Sequence, residues 1–213
     1  SALCRETTTD ENGRPTTQKF DAYGRVRIKE ESLNGQTLQT VYTYDSLGRQ
    51  TGLTDPLDLA WSWTFDSLGR NLQKEDPDTG TWNWIYDDEG RVTRQNDAKQ
   101  QRVETSYDPV GRPSGRRTYD ASGGLTSTVT FAYGEARPEQ FNVGRLTSVN
   151  APGNNILRRG YDARGRANWF WRQIDQFEYL ARTTFDAAGR VISVQYPDGT
   201  VGPNSYDGAG RLR

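Results

Sequence analysis

Residues 43–71, TYDSLGRQTGLTDPLDLAWSWTFDSLGRN, hold the same phrase twice. Tyr44, Asp45, Gly48 and Arg49 return as Phe65, Asp66, Gly69 and Arg70, 21 residues later. An aromatic, an acid, a glycine and an arginine kept at fixed spacing have three readings. They make a ligand site many times over, a cation-binding loop, or a turn that builds a scaffold.

The rest of the chain repeats the phrase. It stands at Phe20, Asp21, Gly24 and Arg25, at Tyr86, Asp87, Gly90 and Arg91, and at Tyr107, Asp108, Gly111 and Arg112. It returns at Tyr161, Asp162, Gly165 and Arg166, at Phe185, Asp186, Gly189 and Arg190, and at Tyr206, Asp207, Gly210 and Arg211. A divergent Phe141-Asn142-Val143-Gly144-Arg145 lies between the two groups. The motif glycines step by 24, 21, 21, 21, 33, 21, 24 and 21 residues, which marks a tandem array of about nine repeats over 1–213.

Second turn signals fall midway: Asn34-Gly35, Asp55-Pro56, Asp76-Pro77-Asp78-Thr79-Gly80, Ala151-Pro152-Gly153 and Pro197-Asp198-Gly199. Two turns per repeat leave two segments of about seven residues, and those segments alternate. In Thr81–Tyr86 the aromatics at 82, 84 and 86 share one face of an extended strand. Trp61, Trp63 and Phe65 fill the same slots one repeat earlier. Arg190–Tyr196 is strand-forming by its β-branched content. No segment keeps a capped 3.6-residue period, so the expectation is all-β with almost no helix: tandem hairpins in a long antiparallel meander.

The phrase suits a tight turn. Asp bonds backbone N–H groups two residues on, and Gly accepts the left-handed conformation. A type I turn closed by such a Gly joins hairpins with a local bulge and added twist. The aromatic would cover the turn. The Arg has two open partners, its own Asp or a carbonyl of a neighbouring repeat. A sugar or phosphate site made of these Asp and Arg residues is less economical than a structural turn. Calcium is disfavoured because each turn offers one regular carboxylate and sets a cation beside it.

Trp61/Trp63 and Trp82/Trp84 fall in register one repeat apart, which favours packing in the sheet over an exposed stacking platform. Trp169 and Trp171 lie in the other strand of a later repeat. These six are the candidate contact residues, together with the irregular stretch at 134–142, where the glycine step grows to 33 and a loop insertion is expected.

Composition narrows the function. Of 213 residues, 32% are hydrophobic, mean hydropathy is −0.92 and net charge is −1, with 11% aromatics. Low hydrophobicity without net charge describes a chain that folds around aromatic and polar contacts rather than one that stays disordered. The charge balance gives no pull towards nucleic acid, and no apolar run spans a bilayer. Cys4 stands alone, so no internal disulfide framework exists. The missing initial Met, and an end two residues after a motif copy, suggest a piece of a longer polypeptide. With no His, acid–base work would fall on Asp, Glu, Lys or Tyr, and Cys4 has no His partner. Asp87 and Asp88 are adjacent, so their side chains diverge. No phosphate loop or metal-ligand spacing occurs. The expectation is no catalytic residue, no cofactor and no metal.

Repeated Tyr-Asp-x-x-Gly-Arg at 21-residue spacing with Asp-Pro half-turns resembles the RHS/YD repeat, from about residue 10 onward. Phe131-Ala132-Tyr133-Gly134, followed by Val143–Val149, is similar to bacterial members. The resemblance implies a sheet that spirals into a hollow β-shell, of which 213 residues would form part. In bacterial RHS proteins and the similar B/C components of Tc toxins, such shells enclose a C-terminal toxin. Related YD-repeat proteins, including wall-associated bacterial proteins and teneurins, act at cell surfaces. The expected role is therefore a secreted or cell-surface scaffold whose partners are further repeats and an enclosed toxin. The alternative is an extracellular module that contacts glycans or a protein receptor. The self-cleaving Asp segment of the family has no match here, so autoproteolysis is not assigned.

Overall fold

Alternating half-apolar segments between turn formers become strands. In the computed structural model, which describes residues 4–213, every regular element is a β-strand. The chain divides into two compact units, Ser1–Arg102 and Val103–Arg213.

The first unit carries β1 (Cys4–Thr9), β2 (Pro15–Phe20), β3 (Val26–Leu33), β4 (Gln36–Tyr44), β5 (Gln50–Thr54), β6 (Ala60–Phe65), β7 (Asn71–Asp76), β8 (Gly80–Tyr86) and β9 (Val92–Asn96). Each pairs antiparallel with the next. After β10 (Arg102–Tyr107), the second unit runs through β11 (Pro113–Tyr119), β12 (Leu125–Tyr133), β13 (Leu146–Ala151), β14 (Asn155–Tyr161), β15 (Ala167–Ile174), β16 (Phe177–Phe185), β17 (Val191–Gln195) and β18 (Val201–Pro203). From β11 onward these again pair with their successors. The expected tandem-hairpin, all-β architecture is what forms.

The expected bulge also appears. Thr43 pairs with Gly52, but Tyr44 pairs with Gln50, so the register shifts at the motif aromatic. The same shift occurs at Phe20, Phe65, Tyr86, Tyr161 and Phe185. Two-residue turns close other hairpins. Asn34 and Gly35, at φ 52° and 78°, fill the left-handed positions that such a turn requires.

No hydrophobic side chain among the described residues is buried. The exposed surface is 14084 Å², against about 10,000 Å² for a compact monomer of this mass. The sheet therefore buries less surface than a filled domain of this mass. The buried side chains are polar: Thr147, Ser148 and Asn142 are buried in the irregular repeat, and Thr17 in β2. Something other than an apolar core must hold successive hairpins together.

Candidate functional site: the repeated corner and the irregular repeat

The corner at residues 44–49 shows how the motif works. Tyr44 ends β4. The Asp45 N–H donates to the Arg49 carbonyl at 2.9 Å, and the Gly48 N–H donates to the Asp45 carbonyl at 3.1 Å. Asp45 Oδ1 accepts from the Leu47 and Arg49 N–H groups, both at 2.9 Å. Arg49 Nε donates to Asp45 Oδ2 at 2.6 Å. Gly48 sits at φ 85°, where a side chain would be strained. Desolvation raises the Asp45 carboxyl, but the bonds from the Arg49 side chain and from the Arg49 and Leu47 N–H groups more than reverse this, and the carboxyl lies below its ordinary 3.8.

The Asp–Arg side-chain bond recurs in all eight regular copies at 2.5–2.8 Å, including Asp21, Asp66, Asp87, Asp108, Asp162, Asp186 and Asp207. Both carboxylate oxygens are thus engaged, one by backbone and one by guanidinium. This leaves little coordinating capacity for a cation, and among the described residues no three His, Cys, Asp or Glu side chains group as metal ligands.

Both partners left open for the arginine are used. While Nε holds its own Asp, Nη1 of Arg49 donates to the Asp66 carbonyl of the next corner at 2.9 Å, and its guanidinium lies 5.0 Å from the Phe65 ring centre. Arg25 reaches the Asp45 carbonyl and the Tyr44 ring in the same way, and Arg70 the Asp87 carbonyl and Tyr86. Arg166 and Phe185, and Arg190 and Tyr206, repeat the stack in the second unit. The tyrosines tie the corners in the other direction. Tyr44, Tyr86, Tyr133, Tyr161 and Tyr206 donate their hydroxyls to the carbonyls of Val26, Asn71, Pro113, Leu146 and Val191, each of which directly follows the arginine of the preceding repeat. The aromatic therefore covers the arginine of the preceding repeat.

Further corners of the same geometry stand outside the motif, of which the sequence reading names only Asp55-Pro56, as a half-turn. Asp10, Asp55, Asp97 and Asp120 each donate N–H four residues ahead and accept from the residue three ahead. At Asp55 and Asp97 the left-handed slot holds Asp58 and Gln100 rather than glycine, at φ 61° and 62°. Tyr119-Asp120-x-x-Gly123 was visible as a near-copy; it lacks only the arginine.

A hexamer in phase with a bulged hairpin, each corner strapped to the next, decides the architecture. The fold is RHS/YD-repeat-like. Three solved structures are similar to it. A TcdB2–TccC3–Cdc42 crystal structure is 17% identical with a TM-score of 0.48, matching 98% of this chain and 15% of that one. TcdB2–TccC3 without its hypervariable C-terminal region is 17% identical with a TM-score of 0.45, matching 94% of this chain and 14% of that one. The Photorhabdus luminescens Tc holotoxin pore is 16% identical with a TM-score of 0.44, matching 96% of this chain and 15% of that one. The chain thus spans about 15% of the length of these solved chains. No family model and no curated protein matches it.

Within this RHS/YD-repeat-like sheet all six tryptophans are half-buried. Trp63 pairs with Lys74 and Lys74 with Trp82, so these two tryptophans occupy one cross-strand row with a lysine strand between them. Leu53 pairs with Trp61, and Trp84 with Gln95. Trp171 receives the Arg158 guanidinium at 4.9 Å, and Trp169 receives that of Arg137 at 5.2 Å.

The irregular repeat keeps the straps and replaces the corner. Tyr133 and Arg145 stand 12 residues apart instead of five, yet Arg112 stacks on Tyr133 and Arg145 on Tyr161. The Gly134 N–H donates to the Arg145 carbonyl, which closes the loop's base. Asn142, in the slot where other copies carry Asp, donates Nδ2 to the Glu135 carbonyl at 2.8 Å and accepts from the Tyr161 N–H at 3.2 Å. The Phe141 N–H donates to the Tyr161 carbonyl at 2.8 Å. The loop is thereby pinned onto the end of β14. Arg137 joins Glu135 at 3.1 Å and Ser148 Oγ at 3.1 Å.

Proposed function

We propose that this chain is a structural wall segment of an RHS-type shell. In this reading residues 1–213 form one array of about nine repeats within a longer shell, secreted or presented at a cell surface. Its partners are further repeats and an enclosed toxin polypeptide. The motif residues are fasteners rather than a catalytic, cofactor or metal site, and the wall performs no chemistry of its own.

The observation that carries this reading is the strap. Five corner arginines donate to a carbonyl of the following corner and five tyrosines donate a hydroxyl to the preceding repeat, while no apolar side chain among the described residues is buried. Such a sheet propagates by nearest-neighbour contacts, as repeat arrays do. It builds surface rather than a closed core, which is what a container wall requires. A half-polar inner face would hold a polypeptide through dispersed contacts instead of a single pocket.

Limited proteolysis of the parent polypeptide tests the role. A wall predicts that a segment outside the repeats resists protease while the shell is intact and becomes cleavable once acid or denaturant opens it. Equal cleavage in both states would remove the container role. A membrane anchor or adhesion modules flanking the repeats would move the protein to the surface-binding role.

A further inference from the structure

Strands β12 to β16 carry two unlike faces. Pairing and alternation place Phe131, Val149, Leu157, Arg172 and Tyr179 in one cross-strand row. Arg159, Phe170 and Ala181 form the neighbouring row of the same face. Glu178, the one carboxylate within these five strands, lies on the opposite face, paired with Gln173 and accepting from Trp171 Nε1 at 3.4 Å. The inserted loop also sits on that opposite face, with Arg137 on Trp169 and Gln140 over Gly160. The first face is thus left open, apolar and cationic, with no anion of its own. The motif arginines each hold an Asp, but no hydrogen bond or ion pair engages Arg159 or Arg172 among the described residues. Arg159 is nevertheless half-buried. Beside it a cavity of about 260 Å³ opens among Asn168, Phe170, Ala181 and Thr183. Asn168 Oδ1 is buried without a donor.

We infer that this face docks an acidic polypeptide segment with two carboxylates at positions i and i+2 beside apolar side chains. Arg159 and Arg172 are diagonal neighbours on paired strands, about 7–8 Å apart, close to the i to i+2 spacing of an extended chain. Each guanidinium matches a carboxylate in plane and with two donors. Leu157, Phe170 and Tyr179 receive the apolar side chains, and a main-chain N–H supplies the donor that Asn168 Oδ1 lacks. An anionic lipid surface would meet the arginines, but a flat bilayer does not enter the cavity to reach Asn168. β12 to β16 are each paired on both sides, so the segment lies across the face rather than adding to an edge. This inference does not rest on the container role, since the face belongs to one unit and would take the segment from either side of a wall.

Fluorescence anisotropy of a labelled Gly-Phe-Glu-Gly-Glu-Leu-Gly peptide, titrated at low salt with the 213-residue chain, tests it. Saturable binding is expected, weakened about tenfold in Arg159→Gln, which loses a charge-assisted bond. The exposed Arg172→Gln is expected to weaken it about threefold. Arg182→Gln, on the opposite face, is expected to bind as the parent does, and the peptide with Lys for Glu is expected not to saturate. Absence of saturation, unchanged affinity in both Arg159→Gln and Arg172→Gln, or equal binding of the Lys peptide overturns the site. Phosphatidylserine vesicles that displace the peptide from the parent chain and fail to bind Arg159→Gln reassign the face to a membrane surface and overturn the polypeptide partner.

Discussion

Gly69 holds φ 85° at its corner, and a Cβ placed there would meet only Arg49 Nη1 at 3.5 Å, an ordinary contact. The cost of Gly69→Ala is therefore conformational, about 1–2 kcal/mol, and urea denaturation should show it as a lowered midpoint with unchanged slope. The aromatic slot makes an opposite prediction. Five tyrosines donate to the carbonyl after the preceding arginine, whereas Phe65 leaves the corresponding Gln50 carbonyl without that donor. Phe65→Tyr should stabilise by about 0.5–1.5 kcal/mol in the same measurement. At this scale the roles of Asp and Gly were legible because turn chemistry is local. The arginine's two partners were legible only as alternatives, because the second lies 17 residues away at Asp66 and its use depends on how hairpins stack.

Elements are set by two periods, alternation within a strand and 21 residues between corners, and both are written in the sequence. Strand type, meander order and the bulge at each aromatic followed from them. What did not follow was that Asp97 and Asp120 build full corners without the complete motif, since the Asp Oδ1 accepting two N–H groups, together with the backbone bonds, suffices there without the arginine. Nor was Asn142 legible as the anchor of the inserted loop. Its amide donates where a carboxylate cannot, so an Asn in an Asp slot was the available signal. Asn142 is 3% exposed and bonded to both Glu135 and Tyr161. Asn142→Ala should cost about 1–3 kcal/mol through stranded polar partners. Hydrogen exchange should then rise across 134–145 while the strands of the first unit stay protected.

For the whole molecule, composition announced a fold poor in buried apolar surface, and none of the large hydrophobic side chains described is buried. Heat capacity follows apolar exposure, so calorimetric unfolding should fall below the usual figure of about 12–15 cal/mol/K per residue. Acid is the second lever. The Asp of each of the eight regular motif copies has a lowered native carboxyl, and Asp76, bonded by Lys74 and by the Thr79 and Asp78 N–H groups, is lowered to about 2. A depressed native value stabilises the fold above the ordinary carboxylate range, and that stability is lost as pH falls through the native values. Thermal midpoints should therefore hold at neutral pH and drop between about pH 4 and pH 2, with high salt weakening the guanidinium contribution.

The claim beneath all of this is that the corner arginine binds repeat to repeat rather than serving its own turn alone. A double-mutant cycle on Arg49→Ala and Phe65→Ala measures it directly, because the two side chains belong to successive corners and meet at 5.0 Å. The strap requires a favourable coupling of at least about 0.5 kcal/mol. Strictly additive effects would contradict it and return the motif to a set of independent turns.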